Sequence, residues 1–155
     1  MLFRSGGLAI ALLCDLRLGS SESSYCLPTA RMAIGYSVFG VQSLVEAVGT
    51  LNAREILYTA RSYGPQEAQA MGILNRVYPA ERFAEEAAQY VAGIATGAPL
   101  SQVASKLTVR ALAPRPDPEQ LAAVQAAIVK ASGSEDSKEA QRAFVEKRAP
   151  QFKGR

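Results

Sequence analysis

Histidine is absent from all 155 residues. That removes the commonest general base and metal ligand, so Ser-His-Asp, Cys-His and zinc chemistry cannot be completed within the chain. Cysteine is almost as scarce. Cys14 and Cys26 stand alone, with no CxxC or Cys/His spacing, which argues against a metal site or a disulfide framework and makes a reduced, cytoplasmic setting the expectation. Long apolar runs are missing too. The stretch from Gly6 to Leu13 ends at Asp15, far short of the ~20 residues that cross a membrane. No block of like charge occurs: the net charge of +3 comes from basic residues scattered singly through helical patterns. That distribution argues against nucleic acid and suits a nucleotide-bearing small molecule. No internal repeat is found.

What is present is the composition of an ordinary globular domain, 48% hydrophobic and 20% charged, long enough to bury a core. Leu8 to Cys14 carries no polar side chain and reads as a helix buried on all sides, entered through the small-residue turn Gly6-Gly7. Asp15–Gly19 and Ser24–Leu27 read as two short strands around the polar loop Ser20 to Ser23. Gly40–Val48 and Asn52–Tyr58 have helical spacing, with Leu44 and Val48 on one face, Gly49 between them and Thr50 available as a cap. Pro65–Met71 is a short helix with Pro at its start and Gly72 at its end, followed by a strand over Ile73–Val77.

Beyond Glu81 only helices are needed, and they read as a bundle. Phe83, Ala87, Val91 and Ile94 line one face, then Leu100, Val103 and Leu107. The segment 113–118 is a stiff Pro-rich linker, Asp117 with Gln120 makes a capping box, and Leu121, Val124 and Ile128 form the stripe beyond. A last helix carries Ala140, Ala143 and Phe144 and stops near Pro150, leaving a basic end.

The Gly6-Gly7 turn aims free backbone N–H groups and the positive end of a helix dipole at one point, which suits an anion or a developing oxyanion, although such turns are often purely structural. The sequence around it adds to this. Ser5 to Arg17 (SGGLAIALLCDLR) resembles the Gly-rich segment and following helix and strand of the crotonase superfamily, the enoyl-CoA hydratase/isomerase family. Four further blocks continue in the same order. Leu27 to Arg31 (LPTAR) resembles the family's LPEAR, Glu55 to Thr59 (EILYT) its EILFTG, and Ala68 to Val77 (AQAMGILNRV) its block ending in GLVN-x-V. Phe144 to Arg148 with Pro150 and Phe152 resembles its C-terminal FxEKR pattern.

The resemblance implies an α/β fold. Residues 1–80 would form the C-terminal part of a crotonase-like spiral ββα core, and residues 81–155 a helical region that builds a homotrimer, or a hexamer of paired trimers, and covers coenzyme A. It implies a lyase or isomerase of fatty acid metabolism acting on an acyl-CoA thioester, with coenzyme A as part of the substrate, no separate cofactor and no metal. In the family the thioester oxygen sits between two backbone N–H groups. One comes from the glycine matching Gly6. The other comes from an upstream loop that this chain does not contain, so the sequence is expected to be the C-terminal portion of a longer protein.

Two departures bear on the chemistry. Family hydratases carry glutamates at the positions of Ala9 and Thr29, and isomerases generally keep an acid at the latter; neither residue titrates here. Asp15 and Glu22 read as structural or solvated charges. Tyr36 matches a tyrosine of the methylmalonyl-CoA decarboxylases of the superfamily, whose reaction needs no base because loss of CO2 itself delivers the enolate; the alternative is a tyrosine that packs its ring and hydrogen-bonds a carbonyl. Phe144 and Lys147 match positions that reach a neighbouring subunit's coenzyme A, and their spacing of three places them on one helical face. A trimerising crotonase-fold protein without catalysis is the reading from another class.

Overall fold

The computed structural model describes residues 2–4, 6–112 and 118–154. All of the expected linker but Pro118, which begins α6, lies outside this set, as do the capping box of Asp117 with Gln120 and the side chains of Leu121 and Val124. The order is β1 (Leu2–Arg4), α1 (Gly6–Leu12), β2 (Leu18–Ser20), β3 (Ser24–Cys26), α2 (Val38–Thr59), α3 (Pro65–Ala70), β4 (Arg76–Tyr78), α4 (Phe83–Ala95), α5 (Pro99–Leu112), α6 (Pro118–Ser132) and α7 (Glu135–Val145).

β3 lies where the sequence puts a strand, whereas β2 begins only at Leu18, three residues later than expected, and the two do not pair with each other. β1 pairs with β3 in parallel, Phe3 opposite Tyr25, and β2 pairs with β4 in parallel, Gly19 opposite Val77. Parallel pairing requires a crossover between partners, supplied by α1 in one case and by α2 and α3 in the other. Tyr25 and Tyr63 exchange backbone hydrogen bonds of 3.0 and 2.9 Å, tying β3 to the entry of α3.

α2 begins two residues earlier than the spacing suggests, because the Ser37 hydroxyl accepts from the Gly40 N–H at 3.1 Å and caps the helix. Gly49 breaks it as expected, at φ +74° and ψ 166°, a conformation open to glycine alone. Gly72, at φ +90°, ends the turn after α3. A Cβ there would lie 2.6 Å from the Ala47 carbonyl oxygen, so glycine also permits the close approach to α2. The Ile73 and Leu74 N–H groups both return to the Ala68 carbonyl, which delays β4 to Arg76 rather than Ile73.

The core gathers Leu8 and Leu12 from α1, Tyr25 and Leu27 around β3, Leu44, Val48 and Ile56 from α2, and Ile73 and Leu74. α1 is not buried on all sides as its sequence implies. It buries only Leu8 and Leu12, while Ile10 is 68% exposed and Leu13 and Leu16 are open. The helix packs on β1 and α2 along one face, and no described residue covers the other.

The helices after Glu81 form where expected, but they do not close into a bundle. α4 leans on β2 and β4 with its first turns, so Phe83, Ala87 and Tyr90 are half-buried while Val91 and Ile94 are exposed. The described side chains of α5 are all exposed, Leu100, Val103 and Leu107 included. α6 and α7 pack together, against α2 and against the short turn Ala30–Met32.

Candidate functional site

Gly6 is the first residue of α1, exposed, with nothing within 4 Å of the place a Cβ would take. Its N–H is among those a helix leaves without an intrahelical partner. Ala9, one turn on, is half-buried. Thr29 is buried at the entry to the Ala30–Met32 turn, and its carbonyl accepts from the Met32 and Ile34 N–H groups at 3.2 and 3.1 Å.

Tyr36 lies on the loop that leads into α2, with its ring against Gly40: a Cβ on that glycine would stand 2.6 Å from the ring. The ring packs, then, but the hydroxyl makes no carbonyl hydrogen bond. Its oxygen is shielded from solvent and has no partner among the described residues. Burial pushes the phenol up from its ordinary value.

Phe144 and Lys147 do not share a helical face. Phe144 is the penultimate residue of α7 and 74% exposed, whereas Lys147 lies beyond the helix at φ +54°. The Lys147 N–H donates to the Phe144 carbonyl at 3.3 Å and the Arg148 N–H to the Ala143 carbonyl at 3.0 Å. This is a Schellman stop with lysine at the position that glycine usually fills. The left-handed backbone turns the chain before the fourth residue, so a spacing of three no longer means one face.

The chain after the stop is clamped back onto α7. Arg148 donates two hydrogen bonds to the Glu139 carboxylate, at 2.6 and 3.0 Å, and the Gln151 N–H adds a third at 3.1 Å. Chiefly through Arg148, the Glu139 carboxyl is pulled down from 4.5 to about 2. Asp136 accepts from the Lys153 and Gly154 N–H groups, both at 2.7 Å.

Several motif residues that the sequence offered no role prove to be ties. Arg17 donates to the Ile73 and Cys14 carbonyls at 2.6 and 2.9 Å, and its backbone N–H and C=O are both bound by Asn75, at 2.7 and 2.8 Å. The "DLR" and "GILN" blocks are thus the two sides of one joint between α1 and α3. Arg31 donates to the Ala60 carbonyl and, at 3.3 Å, to the Cys26 sulfur, fastening the Ala30–Met32 turn to the end of α2. Asp15 pairs with Lys106 on α5, an exposed structural contact. An arginine embedded in an apolar block is the one signal that hinted at such ties: a half-buried guanidinium must find carbonyls. Both cysteines are free, Cys14 exposed and Cys26 buried, and no described helix is long and apolar enough to cross a membrane.

Known proteins share this arrangement. The chain is 34% identical over 154 residues to the carnitinyl-CoA dehydratase of Proteus mirabilis, covering 97% of this chain and 59% of that protein. It is 30% identical over 156 residues to the 2,3-dehydroadipyl-CoA hydratase of Escherichia coli, with 96% and 58% covered. The fold superposes on a crystal structure of methylmalonyl-CoA decarboxylase with a TM-score of 0.87 and 27% identity, over 99% of this chain and 61% of that one. A carnitinyl-CoA hydratase from Mycobacterium avium gives 0.84 and 28%, over 99% and 60%. The chain therefore spans about three-fifths of the length of these relatives. The sequence profile of the enoyl-CoA hydratase/isomerase family matches residues 3–155, so the chain, with its partial crotonase-like α/β core and helical C-terminal region, belongs to that family.

Proposed function

We propose that the chain supplies the C-terminal part of an acyl-CoA site in which the Gly6 N–H receives the thioester oxygen and stabilises it as an enolate forms. The observation that carries this reading is Gly6 itself: it is the exposed first residue of α1, with nothing within 4 Å of where a Cβ would stand, inside the first of five family blocks in family order. An N–H aimed where charge develops is worth roughly 3 kcal/mol in acyl transfer. The exposed Phe144 and Lys147 reach the coenzyme A of a neighbouring copy, whose phosphates suit the ammonium group. Lys147 supports this in a second way: a lysine at positive φ costs about 1 kcal/mol relative to glycine, a cost that a ligand contact explains. The exposed stripe of α5, Leu100, Val103 and Leu107, is the surface through which three copies associate, singly or as paired trimers, in the cytoplasm.

Two-carboxylate hydration does not fit, because Ala9 and Thr29 cannot move a proton. A decarboxylase reading has its own support in the shielded, unpartnered Tyr36 hydroxyl, a donor free to orient a substrate carboxylate. A non-catalytic trimer remains the third reading, since the same substitutions remove the acids.

Calorimetry against coenzyme A and light scattering separate these: trimers that fail to bind coenzyme A establish the non-catalytic one. Incubation with crotonyl-CoA and methylmalonyl-CoA then separates hydration from decarboxylation. For a decarboxylase, Tyr36→Phe lowers CO2 release on the order of 10- to 100-fold, the worth of a hydrogen bond to a charged group, without loss of stability. Unchanged release would remove Tyr36 from the mechanism. Lys147→Gly raises stability by about 1 kcal/mol and weakens coenzyme A binding; a stabilised variant with full affinity would remove Lys147 from the site.

A further inference from the structure

A hollow of about 610 Å³ lies between the residues around the Ala30–Met32 turn and the second half of α6, within the size range of small-ligand sites. Its origin is local. At Gly35 the two walls touch, for a Cβ there would stand 2.8 Å from the Ile128 Cα. Beside that contact the facing side chains are Ala30, Ala33, Ala127 and Ala131, too short to fill the space between the walls. Ile34 adds apolar surface, and Thr29 lines the same space. The C-terminal segment closes one end at Gly154, held there by the Asp136 carboxylate.

Among the described residues the polar groups of the wall are engaged, apart from the Thr29 hydroxyl and one cation. Asp136 takes the two tail N–H groups, and the Ser134 hydroxyl accepts from the Ser137 N–H at 3.0 Å while donating to the Ala131 carbonyl at 2.7 Å. Lys130, exposed at the rim, also lines the hollow, and its ammonium is in no ion pair among the described residues. An apolar space with one uncommitted cation at its edge is complementary to a short hydrocarbon segment ending in an anion.

Resting on the reading of an acyl-CoA site, we infer that this hollow receives the acyl group, entering past Thr29, and that Lys130 selects acyl groups that end in a carboxylate. The four alanines set the cross-section for a linear or lightly branched chain, and the ammonium sets the preference at its far end.

Calorimetric titration of the full chain with coenzyme A, hexanoyl-CoA and adipyl-CoA tests this, since the two esters differ only in the terminal carboxylate. Adipyl-CoA is expected to bind at least about tenfold more tightly than hexanoyl-CoA, the effect of one charge-assisted contact. Lys130→Met, which keeps the apolar stem, brings the ratio of the two esters to about one, and Lys130→Arg keeps most of it. Ala131→Leu, which fills the hollow, weakens both esters relative to coenzyme A. Equal affinity for the two esters, or a ratio that Lys130→Met leaves unchanged, overturns the selection. Coenzyme A binding with no gain from either acyl group overturns the hollow as the acyl site and leaves the parent reading standing, whereas failure of all three ligands to bind overturns both.

Discussion

Leu44 and Leu107 each sit on the apolar stripe of a helix, yet Leu44 is fully buried in α2 and Leu107 on α5 is 61% exposed. The difference extends to the regions around them. From α1 to β4, two parallel strand pairs and the arginine ties at Arg17 and Arg31 hold the elements around one core. From α4 to α7, each helix leans on what precedes it along a narrow contact, and the described residues of α5 are tied by a Gln102 hydrogen bond to the Ile94 carbonyl at 2.7 Å and by an exposed Lys106–Asp15 pair, the latter worth at most about 1 kcal/mol. A stripe of apolar residues specifies that a helix has a face to bury. It says nothing of whether the covering surface belongs to the same chain.

The contrast is broken or upheld most directly by trimming one residue from each region. Ile56→Ala should cost about 2–5 kcal/mol, since its side chain is fully enclosed. Leu107→Ala should change stability by no more than about 0.5 kcal/mol in dilute protein. Urea unfolding of both variants checks this, and equal losses at low concentration would mean that α5 is packed within the chain after all. A Leu107→Ala loss that grows with protein concentration would sharpen the comparison, because the stripe would then be covered by another copy.

This contrast also marks how far the sequence could be read. Helix existence, the break at Gly49 and the turn at Gly72 follow from local rules of periodicity and φ, and all are found in the fold. Strand partnership does not, because β2 and β3 are neighbours in sequence whose partners, β4 and β1, are set by crossovers that no local pattern encodes. The site shows the same division. Gly6 was legible only in part: the sequence reads Gly6-Gly7 as a turn before the apolar run, whereas both glycines already belong to α1. The unpartnered Tyr36 hydroxyl and the left-handed Lys147 were not legible, because each depends on what surrounds it in three dimensions. The Arg17–Asn75 joint was invisible for a further reason: its two halves lie 58 residues apart.

The joint between the two regions can be loosened at Gly35, where the walls of the hollow touch. Gly35→Ala puts a methyl group 2.8 Å from the Ile128 Cα, and overpacking of this kind costs about 1–3 kcal/mol. The obstacle is backbone rather than a flexible side-chain end, so α6 must move away from the Ala30–Met32 turn. Thermal unfolding should show the loss, and increased amide exchange should be confined to α6 and α7 while α2 keeps its protection. Exchange that rises equally in α2 would mean the two regions unfold as one.

The smallest effect is expected at Ser137, on the face of α7 that buries Ala140 and Ala143. Ser137 is buried, and its hydroxyl has no partner among the described residues. Its backbone N–H, not its side chain, serves the Ser134 cap, so Ser137→Ala leaves the cap in place. Removing a buried hydroxyl that lacks a partner relieves a desolvation cost, and alanine is the better helix former. Stability should therefore stay level or rise by about 1 kcal/mol. Ser134→Ala, by contrast, should lose about 1 kcal/mol with the cap. Because the Ser134 hydroxyl caps the helix while the Ser137 hydroxyl lies unused inside it, chemical denaturation of the pair contrasts a used hydroxyl with an idle one. A loss at Ser137 equal to that at Ser134 would mean that its hydroxyl has a partner supplied from outside the described residues, and the C-terminal region would then owe more of its stability to association than its own contacts account for.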